Sequence, residues 1–238
     1  MGGVSKGIFA TMNLSFTRGD EEAAVQENFR RIAKVLHGKK EDFVCSDQTH
    51  TVNIRKVTKE DKGKGVLREK DYRDIDGLVT DEPGIILSCF FADCVPLYFL
   101  DTKKKVIGLA HSGWRGTVNR MGREMTAFME KEYGCRKEDM IAAVGPSICA
   151  DCYEVSEDVA DAFRREFGED VLSAGREEGK YQLDLWRANE KVLLDAGLTG
   201  AQISVTDICT CCNEDKLFSH RASKGKRGNL GAFLSLRE

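Results

Sequence analysis

The sequence predicts an α+β fold in which a large mixed β-sheet is flanked by helices. Short apolar runs typical of strands and amphipathic segments typical of helices are intermixed without a strict β–α alternation. This order favours α+β over a doubly wound parallel sheet. No glycine-rich loop follows a predicted strand, so the fingerprint of a dinucleotide-binding fold is lacking. With 238 residues and no Pro/Ser-rich linker or internal repeat, we expect one domain over residues 1–238.

The first half of the chain is predicted to begin with a helix and to continue as extended segments. Residues Glu21–Leu36 place apolar side chains near one helical face, and Asp20 is the predicted N-cap. His37 then lies at the polar end of this helix, beside Gly38. The charged stretch Lys59–Asp71 is predicted to be a loop. Extended segments are predicted, in order, at Phe43–Val57, Gly77–Thr80, Gly84–Phe91, Val95–Leu100 and Lys105–Ala110.

The second half is predicted to supply the remaining helices and three more strands. A turn over residues 113–116 leads into a helix that continues through Tyr133. Two further helices are predicted at Val155–Phe167 and Asp184–Ala196. The strands are expected at Met140–Val144, Gln202–Ile208 and Gly231–Leu236.

Composition and charge exclude several classes of partner. The chain has 36 basic and 39 acidic residues, so its net charge of -3 creates no field that attracts nucleic acid or an anionic membrane. The N-terminus has no uninterrupted apolar segment, and the longest apolar run, Ile85–Leu100, is broken by Asp93 and Pro96. We therefore expect a cytoplasmic protein whose nine cysteines stay reduced. Its oligomeric state is not indicated.

Three residues at predicted strand ends or polar interruptions have the side chains of a catalytic metal site. His50 interrupts an extended segment, Cys94 lies in a short break between two apolar runs, and His111 follows the end of an apolar strand. Two imidazoles and one thiolate suit Zn²⁺ and leave a fourth position for water or substrate. Spacing alone leaves open that these are unrelated polar residues, because they do not form a local motif.

The remaining cysteines offer a second metal-like pattern. Cys149 and Cys152, like Cys209 and Cys212, are separated by two residues, which is the spacing of a four-thiolate zinc site. Cys211 adds a thiol that such a site does not need, and free cysteines commonly pack as small hydrophobic residues. We therefore favour packing for these cysteines.

An ordered set of short motifs covers essentially the whole chain and resembles one protein family. The motifs are Gln48-Thr-His50, Asp76-Gly-Leu-Val-Thr-Asp81, Ala92-Asp-Cys-Val-Pro96, His111-Ser-Gly-Trp-Arg-Gly116, Gly145-Pro-Ser-Ile148, Cys152-Tyr-Glu-Val155, Cys209-Thr-Cys-Cys-Asn213 and Phe218-Ser-His-Arg221. In this order they resemble the laccase-domain family, once called multicopper polyphenol oxidases and also known as the YfiH/YlmD or FAMIN-like family.

The resemblance implies a metal-dependent enzyme. It implies that His50, Cys94 and His111 bind the metal, for which we expect zinc, although copper also accepts imidazole and thiolate ligands. Family members resemble purine nucleoside phosphorylases that split adenosine, inosine or methylthioadenosine with phosphate, and adenosine deaminase activity is also attributed to them. Thr51 and Asp151 depart from the residues that often occupy these positions in the family.

Several polar residues are then predicted to contact a nucleoside and phosphate. Arg115 follows His111 by four residues near a helix start, where a guanidinium suits phosphate or a developing anion; a surface ion pair is the alternative. Asn13 and Gln48 carry amides suited to a base or ribose edge. Trp114 is expected to pack, and His220 either lines the pocket or packs.

Three other functions remain open at this level. A copper-dependent polyphenol oxidase would use a single copper ion at His50, Cys94 and His111, because four histidines cannot furnish the mostly histidine-bound coppers of a multicopper oxidase. A cysteine hydrolase would use Cys94 as the nucleophile and His111 as its base. A non-enzymatic module or peptidoglycan-editing factor would turn over no nucleoside.

Overall fold

Helices and strands occur in the mixed order that the sequence predicts, and the α+β class is confirmed. The computed structural model describes residues 2–237, which form five α-helices and twelve β-strands. The helices are α1 (Glu22–Val35), α2 (Trp114–Val118), α3 (Met121–Tyr133), α4 (Glu157–Phe167) and α5 (Leu185–Asp195). The strands are β1 (Phe43–Cys45), β2 (Ile54–Lys56), β3 (Gly77–Thr80), β4 (Ile86–Phe91), β5 (Val95–Asp101), β6 (Val106–Ser112), β7 (Met140–Val144), β8 (Glu154–Ser156), β9 (Leu172–Ala174), β10 (Lys180–Leu183), β11 (Ile203–Val205) and β12 (Leu230–Ser235).

The predicted large mixed sheet has six strands in the order β11-β7-β5-β6-β3-β2. Its central strands pair antiparallel, whereas both edge pairs, β11–β7 and β3–β2, are parallel. All seven residues of β6 are buried, because this strand is covered on both faces. The C-terminal end of β6 and the N-terminal end of β5 lie side by side, with Pro96 opposite His111.

Two different layers cover this sheet. On one face, α3 and α5 contribute Met121, Met125, Met129, Val192 and Leu193 to a large buried cluster. On the other face lies a separate three-stranded sheet, β1-β4-β12, in which Leu87 and Cys89 pack against Ile107 and Leu109 of β6. Burial of each large apolar side chain in these layers contributes about 1.5–3 kcal/mol, so the two clusters fix the end of β6 firmly.

Helix α1 lies where the apolar pattern predicts it, but its N-cap differs from the predicted one. The predicted N-cap Asp20 is wrong: the helix is preceded by Glu21, and the Asp20 carboxylate accepts the amide of Asn13 and the backbone N–H of Glu21. At the other end, His37 adopts a left-handed conformation (φ 55°) and Gly38 donates to the carbonyl of Ala33 at 2.9 Å. This is a Schellman ending in which His37, rather than Gly38, is the left-handed residue.

Other predicted boundaries shift where tertiary contacts interrupt a local pattern. The single helix predicted through Tyr133 is two helices, α2 and α3, because Arg120 takes a left-handed conformation (φ 60°) and pairs with Glu166 and Asp195. The helix predicted from Val155 begins at Glu157, because β8 pairs with β10 in a small sheet that the sequence did not predict. Among residues 2–237, no helix is long and apolar enough to cross a bilayer.

Candidate functional site

The structure brings His50, Cys94 and His111 together. One ligand atom from each lies within 4.8 Å of the other two, and the two imidazole ring centres are 5.0 Å apart. His50 comes from the loop between β1 and β2, Cys94 from the turn between β4 and β5, and His111 from the end of β6. Three side chains at this separation fit one metal ion and leave a coordination position open, which is the catalytic pattern for zinc.

The turn that carries Cys94 is anchored by a distant part of the chain. Asp93 has a left-handed conformation (φ 87°) and is buried. Its carboxylate accepts the hydroxyl of Thr210 and the backbone N–H of Arg221, both at 2.7 Å. Its carbonyl accepts the backbone N–H of Ile148 at 3.0 Å. These contacts hold the unusual backbone conformation that directs the Cys94 thiol towards the histidines.

A fully buried carboxylate, Asp76, organises both histidines. It accepts the backbone N–H groups of Thr49, His50 and Thr51 at 3.0, 3.1 and 3.0 Å. It also accepts Nδ1 of His111 at 2.7 Å. Burial opposes its ionisation, but the hydrogen bond and charge of His111 and the backbone donors hold the pKa of Asp76 below its usual range.

Sequence reasoning missed this role of Asp76. A hydrogen bond from Nδ1 fixes the imidazole of His111 so that Nε2 is the nitrogen available to a metal, as in other carboxylate–histidine–metal arrangements. The same carboxylate holds His50 in its left-handed conformation (φ 67°). The sequence signal for this role is the position of Asp76, an acidic residue directly before β3 in the motif Asp76-Gly-Leu-Val-Thr-Asp81.

Without a metal, Cys94 and His111 favour a thiolate–imidazolium pair. Burial raises the pKa of the Cys94 thiol, but His111 and His50 outweigh it and lower the pKa to about 6. Burial lowers the pKa of His111, but Cys94 and Asp76 outweigh it and raise the pKa to about 9. The pair therefore supplies one thiolate near neutral pH, which is the form that binds a metal.

The backbone at Gly113 approaches this group closely. A Cβ atom there would lie 3.0 Å from Sγ of Cys94 and 3.1 Å from Cδ2 of His50. The backbone itself is in an ordinary extended conformation, with φ of -72°. Glycine is therefore needed at this position for space rather than for conformational freedom.

Gly113→Ala is expected to lower metal affinity about tenfold or more, because the added methyl group displaces two ligands. Overpacking of this kind costs about 1–3 kcal/mol. A matched control is Gly116→Ala, whose Cβ would meet its first neighbour, the carbonyl oxygen of His111, at 3.4 Å. Metal affinity is measured by competition with a chromogenic chelator, and thermal denaturation is followed in parallel. Equal affinities of the two variants would contradict the prediction.

The three residues line a cavity of about 440 Å³ with one apolar and one basic wall. Phe16, Phe90 and Phe91 provide the aromatic wall. The basic wall contains Arg18, Lys70 and Arg227, none of which the sequence singled out. Lys70 is neutralised by Asp47 at 2.6 Å, whereas neither arginine has an acidic partner within the described part of the chain.

Arg227 is buried without an acidic partner among the described residues. It is 8% exposed, and its Nε atom has no hydrogen-bond partner within them. Its guanidinium donates to the carbonyl of Gly228 at 3.1 Å and to the side chain of Asn229. Burial, and then the charge of Arg18, lower the pKa of Arg227 to about 10. An anion in the cavity would relieve this repulsion and accept the free donor.

Arg115, the predicted anion contact, lies outside this cavity. Its guanidinium is exposed and stacks on Trp114, with the central carbon 4.3 Å from the ring centre. Trp114 is half-buried and packs against the core, as expected. Arg18 and Arg227 line the cavity and are additional candidates for an anion contact, whereas the contact predicted for Arg115 stays a prediction.

Of the other residues predicted to contact substrate or line the pocket, Gln48 lines the cavity, whereas Asn13 is buried and His220 is exposed. Gln48 lines the cavity, and its amide pairs with the backbone N–H and carbonyl of Phe90, both at 2.7 Å. Asn13 is fully buried, and its amide holds Ser15, Asp20 and Asn229. Its predicted substrate contact is replaced by this structural role. His220 is exposed, 3.4 Å from Arg227.

The four cysteines for which we favoured packing lie together as a second group. One sulfur atom from each of Cys149, Cys152, Cys209 and Cys212 lies within 4.8 Å of the others. Cys212 is exposed, and of the four only Cys209 is buried. Cys209 belongs to the large buried cluster and Cys149 and Cys152 pack against it, so packing is confirmed for these three residues. The structure adds that all four sulfur atoms lie close enough to hold one metal ion.

Comparison with known proteins gives matches that extend over nearly the whole chain. A family model described as multi-copper polyphenol oxidoreductase laccase matches residues 1–237. A relative named purine nucleoside phosphorylase YlmD, from Bacillus subtilis strain 168, is 38% identical over 100% of this chain and 86% of its own length. Adenosine deaminase RL5, from an unknown prokaryotic organism, is 31% identical over 91% of this chain and 83% of its own. The crystal structure of Bacillus licheniformis hypothetical protein YfiH superposes with a TM-score of 0.95 at 35% identity, covering 99% of this chain and 90% of that one.

Proposed function

Because this chain belongs to the multi-copper polyphenol oxidoreductase laccase family, we propose that it is a zinc-dependent purine nucleoside phosphorylase. Its substrates would be phosphate and adenosine, inosine or methylthioadenosine. The observation that carries the proposal is the open ligand group of His50, Cys94 and His111 in a cavity lined by two arginines that have no acidic partner among residues 2–237. A small-molecule reaction of this kind and reduced thiols agree with a cytoplasmic location.

The donor set fits zinc better than it fits a multicopper centre. His50, Cys94 and His111 supply two nitrogens and one sulfur, and Asp76 orients one imidazole from behind. A single copper ion would accept the same donors, but a blue-copper site with a three-copper cluster needs far more histidines than the chain has. When bound, zinc would supply a positive charge that polarises a substrate oxygen.

Arg18 and Arg227 are suited to bind phosphate. Both guanidinium groups line the cavity, and one of them is buried with a free Nε donor. Guanidinium groups bind phosphate through paired, charge-assisted hydrogen bonds. Held there, a phosphate oxygen would bond to the anomeric carbon of the ribose as the bond to the purine nitrogen breaks.

The aromatic wall is suited to the purine. Phe16 and Phe90 are half-buried and line the cavity, so their rings offer apolar surface to a flat base. Gln48 has one amide hydrogen that is not used by Phe90, which leaves a donor for the base or ribose. The departing purine would take up one proton at the nitrogen that was bonded to the ribose.

The function is tested by release of free base from a panel of nucleosides with and without inorganic phosphate. We expect phosphate-dependent formation of free purine and ribose 1-phosphate, with about one equivalent of zinc required at the three-ligand site. Release of ammonia from adenosine without phosphate would instead identify a deaminase. No turnover of any nucleoside would overturn the enzymatic proposal and favour a non-catalytic role, such as that of a peptidoglycan-editing factor.

Arg18→Ala is expected to raise the KM for phosphate about tenfold or more while zinc content and folding are retained. Arg18 is exposed, and loss of one charge-assisted hydrogen bond removes about 1.5–3 kcal/mol of binding. Arg115→Ala is the matched control, since Arg115 does not line the cavity, and its KM should be unchanged. If Arg115→Ala raised the KM for phosphate and Arg18→Ala did not, phosphate would bind beside Arg115 on α2 instead.

A second candidate function is hydrolysis or deamination in which Cys94 is the nucleophile. The observation that favours it is the chain of contacts from Cys94 to His111 and from His111 to Asp76, which also suits a thiolate activated by a base. Metal dependence separates this candidate from the first one.

A further inference from the structure

We propose that Cys149, Cys152, Cys209 and Cys212 bind a second zinc ion with a structural role. A tetrahedral Zn–S₄ site with bonds of about 2.3 Å places its sulfur atoms about 3.8 Å apart. Sγ of Cys212 lies 3.9 Å from Sγ of Cys149 and 3.5 Å from Sγ of Cys152. The four sulfur atoms thus already stand at nearly the spacing that one zinc ion requires.

Backbone amides in the group are directed at sulfur. The N–H groups of Cys149 and Cys212 both donate to Sγ of Cys209, each at 3.3 Å. Hydrogen bonds of this kind stabilise a thiolate, which is the state that zinc needs, and they orient it. Two donors on one sulfur are not needed by a thiol that only fills space in a core.

The group is also better explained by a metal than by a disulfide. Cys212 has two cysteines at similar distances, so no single pair is selected. The four thiols come from two separate loops, each with the two-residue spacing typical of zinc sites. Four protein ligands close the coordination sphere, which is the pattern of a structural rather than a catalytic ion.

Zinc at this position would join two loops that support the turn carrying Cys94. Ser147 and Cys209 are already paired by a backbone bridge. Next to the cluster, Thr210 donates to the carboxylate of Asp93, the residue before Cys94. Arg221 donates to the carbonyl of Cys152 at 3.1 Å and its backbone N–H reaches Asp93. The proposed ion therefore stabilises the support of the three-ligand site without touching substrate.

The test is metal analysis of the full-length protein, purified from zinc-supplemented cells without chelators. We expect about two zinc ions per chain in the wild type and about one in Cys212→Ser. Cys211→Ser is the matched control, since Cys211 is adjacent but outside the group, and it should keep both ions. Cys94→Ser removes the three-ligand site, so zinc in this variant reports on the four cysteines alone. The absence of zinc from this variant would contradict the second site without bearing on the proposed function.

A second measurement covers the case in which Cys212→Ser fails to fold. Cobalt added to metal-free Cys94→Ser protein should give the intense ligand-to-metal absorption of a tetrahedral four-thiolate site, and a thiol-specific mercurial should release about one metal ion per chain. Full zinc retention in a folded Cys212→Ser variant would overturn the proposal. So would iron in place of zinc, or intact mass and thiol counts that reveal a disulfide within the group in freshly purified protein.

Discussion

Cys94→Ser is expected to abolish metal binding at the three-ligand site and catalytic activity together. The thiolate is the one anionic ligand of the group and partly neutralises the bound cation. Serine stays protonated and is a poor ligand for zinc, so metal affinity should fall by more than about a hundredfold. Metal content and phosphate-dependent base release are measured on the same samples, and added zinc should restore part of both.

The alternative role of Cys94 predicts a different pattern. If Cys94 is the nucleophile, Cys94→Ser should lose activity with no change in metal content, and the wild type should form a covalent substrate adduct. A thiolate beside His111 in metal-free protein should react quickly with iodoacetamide, whereas zinc should protect it. A folded Cys94→Ser protein that keeps zinc at the three-ligand site but has no activity would exclude the ligand role. Cys211→Ser controls for the loss of a partly exposed thiol elsewhere.

The same group sets the pH dependence of metal binding. In the metal-free protein, the raised pKa of about 9 keeps His111 protonated at neutral pH, so a metal must displace that proton. Apparent affinity should therefore decline as the pH falls from about 9, and more steeply below about 6, where Cys94 also becomes protonated. Chelator competition across this range measures the slope, and a flat profile would contradict the ligand assignment.

Asp76→Asn is expected to cause the second large loss, in stability as well as in metal affinity. The carboxylate accepts three backbone N–H groups and Nδ1 of His111 while fully buried. An amide nitrogen cannot accept, so some of these donors lose their partner, at a cost of about 3 kcal/mol or more in the free energy of unfolding. The loss of imidazole orientation should weaken metal binding about 10–100-fold.

Asp74→Asn is the matched control for this substitution. Asp74 is exposed, two residues away, and its carboxylate accepts only the Thr49 hydroxyl among the described side chains. Its left-handed backbone (φ 56°) is also one that asparagine tolerates. Chemical denaturation and chelator competition are measured for both variants. If the two behaved alike, the buried carboxylate would have no special role in orienting the histidines.

Local patterns predicted most of the elements because apolar periodicity is itself local. The amphipathic run behind α1 and the continuous apolar run behind β6 identify their structures within a residue or two. The pattern could not indicate the break at Arg120, which depends on partners in α4 and α5. Nor could it indicate β9 and β10, because only their mutual pairing and that with β8 make them strands.

The sequence by itself identified the candidate ligand set. Histidine and cysteine are few and chemically distinct, and the ordered motifs single out His50, Cys94 and His111. Cys94 and His111 lie near the ends of two strands that pair with each other. Because β5 pairs with β6 so that Pro96 lies opposite His111, these two ends meet in the sheet. The structure then shows the three side chains within reach of one ion.

Only the tertiary structure decided which other residues surround them. Burial and hydrogen-bond partners depend on contacts between distant segments, so the buried, unpaired state of Arg227, the exposure of Arg115 and the role of Asp76 were invisible in the chain. The same holds for the four cysteines, whose two pairs meet only because the loops before β8 and after β11 are held side by side. Residue type gives the chemistry available, and folding decides which groups share one low-dielectric space.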